Sequence, residues 1–230
     1  MSYILFFLIV LLVMIFLIIK FIKKVVHMAI SLIVLVILVL SLLTFLVYSD
    51  YDSFKHGADE KYSVVLVSDG ETYIAGGYVN ISNINQNQGD IRSIENISDF
   101  NTKSNKEILG DNYKLFIIDI GFFEENLPDY INYQQYTLSK RGVINVLRSS
   151  DPKSEFASTL RLKKEDIKQN PDQLKFELAM RSLQKIVELK GKLILVSSYK
   201  TNELTVYKET MLFKLIKIAP TTYINKYITN

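Results

Sequence analysis

Ile4 to Ile19 is an unbroken apolar run of sixteen residues, and Val25 to Tyr48 is a second, interrupted only by His27, Ser31, Ser41 and Thr44. About 20 apolar residues take a helix across the roughly 30 Å hydrocarbon core of a bilayer. Tyr3, with Phe21 and Ile22 beyond Lys20, brings the first run to that length once Lys20 extends its ammonium to the interface. A core helix of a soluble protein keeps a polar stripe, which neither run has. The expectation is two transmembrane helices, about residues 3–22 and 25–48.

The link between them carries Lys20, Lys23 and Lys24, the only charged side chains before residue 49. They account for the whole formal net charge of +3, because the rest of the chain holds 24 basic and 24 acidic groups. Lysines beside membrane spans stay cytoplasmic. These three are therefore the topology determinants: they place a Lys-rich turn in the cytoplasm, and both termini and the large domain outside it. Tyr3 and Tyr48 fall at the outer ends, where interfacial aromatics are common. No basic segment precedes the first run and no small-residue cleavage pattern follows either, so the hairpin is expected to be retained. With no Asp, Glu or Arg inside the spans and no small-residue pairs for close helix contact, it reads as an anchor rather than a channel or carrier.

After a juxtamembrane linker at 49–61, residues 62–230 are expected to form one extracytoplasmic mixed α/β (α+β) domain. Residues 62–79 read as a β-hairpin turning at Asp69-Gly70, with Gly76-Gly77 marking a bulge or a close backbone approach. Residues 80–112 are Asn-rich and read as a long loop with short helical pieces. Tyr113–Ile120 is apolar enough to be an interior strand. Residues 122–132 and 137–149 suit short helices, and Asp151-Pro152 marks a break. Asn170-Pro171-Asp172 starts a helix reaching about Leu189, closed by Gly191. Leu193–Tyr199 and Leu204–Tyr207 read as a second hairpin, and residues 209–218 as a last amphipathic helix stopped by Pro220.

The chemistry is sparse. The absence of cysteine removes disulfides, thiol nucleophiles and Cys-based metal sites, and two histidines, His27 and His56, are too few for a His-rich metal site. Asp119, at the carboxyl end of the interior strand, is the best candidate for a functional carboxylate, since such strand ends line ligand crevices. Glu124 and Glu125 follow closely and would add oxygen ligands for a hard cation. The plainer alternative is that Asp119 caps the next helix while the glutamates face solvent. Ser197-Ser-Tyr-Lys200 has the Ser-x-x-Lys spacing of serine acyl enzymes, but on a strand its Ser and Lys would point to opposite faces. Gly76-Gly77 lacks the helix start and Lys-Ser/Thr of a phosphate loop, so no cofactor is expected. Neither is a resident metal or nucleic acid, given a neutral domain whose basic patches are mixed with acids. Asn80-Ile-Ser82 and Asn96-Ile-Ser98 are acceptor sequons on the side expected to be outside. Twelve tyrosines after residue 48 would make a contact surface if several shared one face.

The Ile/Leu/Val helices joined by a lysine turn, and the segment Val206-Tyr-Lys-Glu-Thr-Met-Leu-Phe-Lys-Leu-Ile-Lys-Ile-Ala-Pro220, resemble uncharacterised archaeal two-pass membrane proteins. That resemblance implies a membrane location and no activity. The leading expectation is a multi-pass, membrane-anchored, non-catalytic binding or assembly protein of the cell envelope. Its partners would be the lipid bilayer, another envelope or membrane protein, or a second copy of itself. The alternative is an envelope hydrolase or transferase with a carboxylate and divalent-cation site near Asp119.

Overall fold

The computed structural model describes residues 2–80 and 91–220, and the chain divides into two compact units, Met1–Ser49 and Asp50–Asn230. Helix α1 runs over Ser2–Glu60, 59 residues, or about 88 Å at 1.5 Å per residue. Within it Met14–Ser53 is long and apolar enough to cross a membrane, with a mean hydropathy of 3.2 and 0% of its most apolar stretch buried. The structure draws no turn at Lys20, Lys23 and Lys24; all three continue the helix. Lys20-Phe-Ile-Lys-Lys24 contains none of the Gly, Pro, Asn, Asp or Ser residues that reverse a chain, and lysine is a good helix former. Of the expected linker at 49–61, residues 49–60 are the last turns of the same helix.

The second unit is built on a five-stranded sheet whose strands lie in the order Ile91–Ser93, Thr72–Val79, Ser63–Asp69, Leu115–Asp119, Leu204–Tyr207. Strands β1 (Ser63–Asp69) and β2 (Thr72–Val79) form the expected hairpin, with Gly70 at φ 64 in its turn. The register shifts between Val67 and Ser68 rather than at the glycines. Gly76 and Gly77 instead permit close approach: a Cβ on Gly77 would lie 2.1 Å from Phe176 Cε1 and 2.5 Å from the Arg92 carbonyl oxygen. The segment expected as a loop contains β3 (Ile91–Ser93), a 3-10 turn at Ile97–Thr102 and helix α2 (Asn105–Leu109), while its residues 81–90 lie outside the described residues.

Strand β4 (Leu115–Asp119) is interior, parallel to β1 on one side and antiparallel to β7 (Leu204–Tyr207) on the other. Helix α3 (Ile120–Asn126) follows directly. Pro128 forbids its continuation, and residues expected as helix form a two-stranded ribbon, β5 (Tyr130–Tyr133) with β6 (Tyr136–Ser139). Ile131 and Tyr133 of β5 are buried and Tyr130 and Asn132 exposed, the two-residue period of a strand. Helix α4 (Lys140–Arg148) comes next, and Asp151-Pro152 starts α5 (Pro152–Leu160), with Asp151 as its cap.

Helix α6 (Pro171–Lys190) begins as expected: Asn170 Oδ1 accepts the Gln173 N–H at 2.6 Å, and Gly191 at φ 79 follows its end. The expected strand Leu193–Tyr199 is instead helix α7 (Leu193–Thr201), which Asn202 ends at φ 66. A short apolar run has no period long enough to separate a strand from a buried helix, and packing decided it. Helix α8 (Met211–Ile218) completes the described chain. The sheet sorts side chains by alternation: Val64, Leu66 and Leu115 pack under Ile94, Ile97, Ile108 and Leu109. Val65, Val67 and Ile118 face the larger core formed with α3 to α6, including Phe122, Phe156, Phe176 and Leu178.

Candidate functional site

Parallel pairing of β1 and β4 brings their carboxyl ends together, with Ser68 opposite Asp119. A cleft of about 300 Å³ lies there, and Ser68, Glu71, Tyr73, Asp119, Asn202 and Glu203 are among its lining residues. Asp119 thus occupies the strand-end position that its sequence context suggested. Its carboxylate is engaged, because Oδ1 accepts the Gly121 N–H at 2.8 Å and caps α3.

Glu124 and Glu125 do not join it. The Arg148 guanidinium donates to Glu124 and, at 2.9 Å, to Asp69 Oδ2 at the end of β1. The hydrogen bonds it donates, to Asp69 first and to Glu124 after it, hold that guanidinium above its ordinary pKa. Glu125 is exposed, and neither glutamate lines the cleft. Among the described residues no three His, Asp or Glu side chains converge as a metal site. Ser197 and Lys200, placed on α7 rather than on a strand, are one helical turn apart on a shared side. Ser197 Oγ donates to the Ile194 carbonyl at 3.0 Å and Lys200 Nζ to that of Ala219, so both donors are committed to backbone.

Asn96 is exposed at φ 55, and its N–H donates to Asp172 Oδ2 at 2.9 Å. Asn80 is half-buried, while Ile81 and Ser82 of its sequon lie outside the described residues. Among the described residues the tyrosines are divided between the two cores and the solvent. Tyr73, Tyr78 and Tyr207 pack on the smaller core, Tyr133 and Tyr136 pack edge-on against Phe156, and Tyr130 and Tyr51 are exposed.

A second cavity, of about 280 Å³, lies between the sheet and helices α6, α7 and α8. Its walls are apolar throughout: Phe116 and Val206 from the sheet, Met180 and Leu183 from α6, Tyr199 from α7 and Phe213 from α8 are representative. Burial, with a hydrogen bond to Glu209 as the lesser cause, pushes the Tyr199 hydroxyl above the ordinary tyrosine range, so it stays protonated. Sequence reasoning missed this cavity because the strand reading of Leu193–Tyr199 removes the wall that α7 provides. No protein-family model, curated protein or solved structure matches the chain.

Proposed function

We propose that the chain is a membrane-anchored binding or assembly protein of the cell envelope, non-catalytic, that holds residues 50–230 outside the cytoplasm. The exposure of α1 carries this reading. Leu12 is 57% exposed, Phe21 69% and Leu38 63%, and so continuous an apolar surface is stable only when lipid or protein covers it.

Two crossings are the finer part of the proposal. Residues 3–48 as one straight helix would reach about 69 Å, more than twice the roughly 30 Å hydrocarbon core. Either the three lysines would sit in hydrocarbon or a long apolar segment would stand in water. In a bilayer, a reversal at Lys20–Lys24 in place of the continuous helix described above would remove both costs and leave the lysines on the cytoplasmic side. The binding role rests on the second unit, where Asp119 and Glu124 are committed to a helix cap and an ion pair while a large apolar cavity stands empty of side chains. Another envelope protein or a second copy of the chain is the expected macromolecular partner.

Topology gives the test. The chain has no cysteine, so Ile22→Cys and Lys106→Cys each introduce a unique thiol. A membrane-impermeant maleimide on intact cells should label Lys106→Cys and should reach Ile22→Cys only after the cells are opened. The opposite pattern reverses the orientation, and release of the chain by alkaline carbonate removes the anchor.

One observation favours an envelope hydrolase or transferase as the second reading: Asp119 shares its cleft with Glu71 and Glu203. That reading requires Mg²⁺ or Ca²⁺ to raise the melting temperature, and Asp119→Asn, which retains a capping oxygen, to abolish the rise.

A further inference from the structure

We infer that the apolar cavity beside α8 binds one acyl chain of an anionic membrane lipid, a proposal that rests on the membrane-anchored reading above. A cavity lined only by apolar side chains accepts apolar guests. Scaled from a 150 Å³ cavity that holds benzene, the observed 280 Å³ accommodates roughly eleven carbons. The site also leaves apolar surface uncovered where a finished core would not. Phe116, on an interior strand, and Leu204 beside it are only half-buried, as are Met180 and Leu183 on α6. An aliphatic chain laid across them would remove that surface from water.

Helix α8 identifies the kind of chain. It has no buried side chain, although Phe213 and Ile216 turn toward the cavity. Leu215 and Ile218 are 40% and 80% exposed on its other side. Its charges are Lys214 and Lys217, with no acid. The Lys217 ammonium, which donates to Asn202 Oδ1 at 2.9 Å, lies 5.6 Å from the centre of the Tyr199 ring lining the cavity. Beside the Glu209 carboxylate, which accepts from the Tyr199 hydroxyl, a cation thus stands at the edge of the apolar hole. That pairing suits a molecule with an anionic head and an aliphatic tail. Chain connectivity supplies the source, since Asp50, whose carboxylate holds the first turn of α8, is two residues along the chain from the last residue of the apolar run. A tether this short keeps bilayer lipid at high effective concentration.

The test uses the full chain in nanodiscs of phosphatidylcholine with phosphatidylglycerol that carries a diazirine near the end of one acyl chain. After irradiation, peptide mass spectrometry should find adducts in residues 2–48 and a second set at cavity residues such as Met180, Leu183, Phe213 and Ile216. Leu183→Trp, which fills the cavity, should lower the second set at least fivefold and leave the first unchanged. Ile216→Phe, on half-exposed α8, gives the same reading if the tryptophan variant does not fold. Adducts confined to residues 2–48, or found on the domain only at Leu215 and Ile218, overturn the proposal. Loss of the adducts in 2–48 overturns the anchor instead. Equal labelling by phosphatidylcholine with the same diazirine overturns the assignment to an anionic lipid.

Discussion

The carboxylate of Asp50 accepts the backbone N–H of Leu212 at 3.1 Å, closing the first turn of α8 from 162 residues away. Thr210, at the N-cap position, makes no side-chain bond to that turn, so Asp50 supplies the oxygen and the negative charge that a helix start favours. It also opposes the effect of burial on Lys114, whose ammonium is pushed below the ordinary lysine range and donates to the Lys208 carbonyl at 2.7 Å. Asp50→Ala should cost α8 about 1 kcal/mol. Hydrogen exchange at Leu212 and Phe213 should quicken several-fold while the amides of α6 hold their rates. Unchanged exchange in α8 would show that Asp50 does not secure it.

Gly77 faces two obstacles of different kinds. The Phe176 ring, 0% exposed, can shift, but the Arg92 carbonyl oxygen 2.5 Å from a Cβ belongs to the paired strand β3 and cannot move without breaking the ladder. Gly77→Ala should therefore destabilise the domain by about 3 kcal/mol, lowering its melting temperature by roughly 6–12 °C. Adding Phe176→Leu should fail to restore wild-type stability, because the backbone obstacle remains. A fully rescued melting temperature would place the strain in the ring alone.

Elements with local chemistry of their own were legible before folding was considered. Asp69-Gly70 specifies a turn and Asn170-Pro171-Asp172 a helix start, and both lie where those residues put them. Leu193–Tyr199 carries no such mark; its run suits a strand as well as a helix, and contacts with residues far along the chain decided between them. The ribbon Tyr130–Ser139 falls in residues expected as helix, although Pro128 and the alternation of buried Ile131 and Tyr133 with exposed Tyr130 and Asn132 suit strands. At the candidate site the strand-end position of Asp119 and its capping role were both visible. The diversion of Glu124 was not, since Arg148 also pairs with Asp69 across 79 residues, and long-range ion pairs leave no spacing signature.

Tyr133 ties the small ribbon to α6, its hydroxyl donating to Glu177 Oε2 at 2.7 Å. Burial, reinforced by that bond and the glutamate charge, drives its pKa far above the ordinary tyrosine value. Tyr133→Phe should cost about 1–2 kcal/mol at neutral pH. The raised pKa adds a second consequence. The folded state holds the phenol proton after the unfolded chain has released it, so stability falls as pH rises above about 10. Wild-type protein should lose stability between pH 10 and 11 more steeply than Tyr133→Phe. Parallel losses in the two proteins would mean that Tyr133 titrates as an ordinary tyrosine.

Asp151 provides the acid-side counterpart. Its carboxylate accepts from the Ser154 N–H at 3.2 Å, from Ser154 Oγ at 2.6 Å and from the Lys164 ammonium, with the lysine having the largest effect; together they lower its pKa to about 2. A depressed folded-state pKa means that this contribution is complete above the unfolded value of about 3.9 and is lost as pH falls through the folded value. Asp151→Asn keeps an oxygen for the Ser154 N–H but gives up the charge that Lys164 and the start of α5 favour. Wild type should melt above Asp151→Asn at pH 5, with the gap narrowing through pH 3 and closing only below about pH 2. A gap that stays constant over that range would show that the cap works through hydrogen bonding alone and that the Asp151 charge contributes nothing.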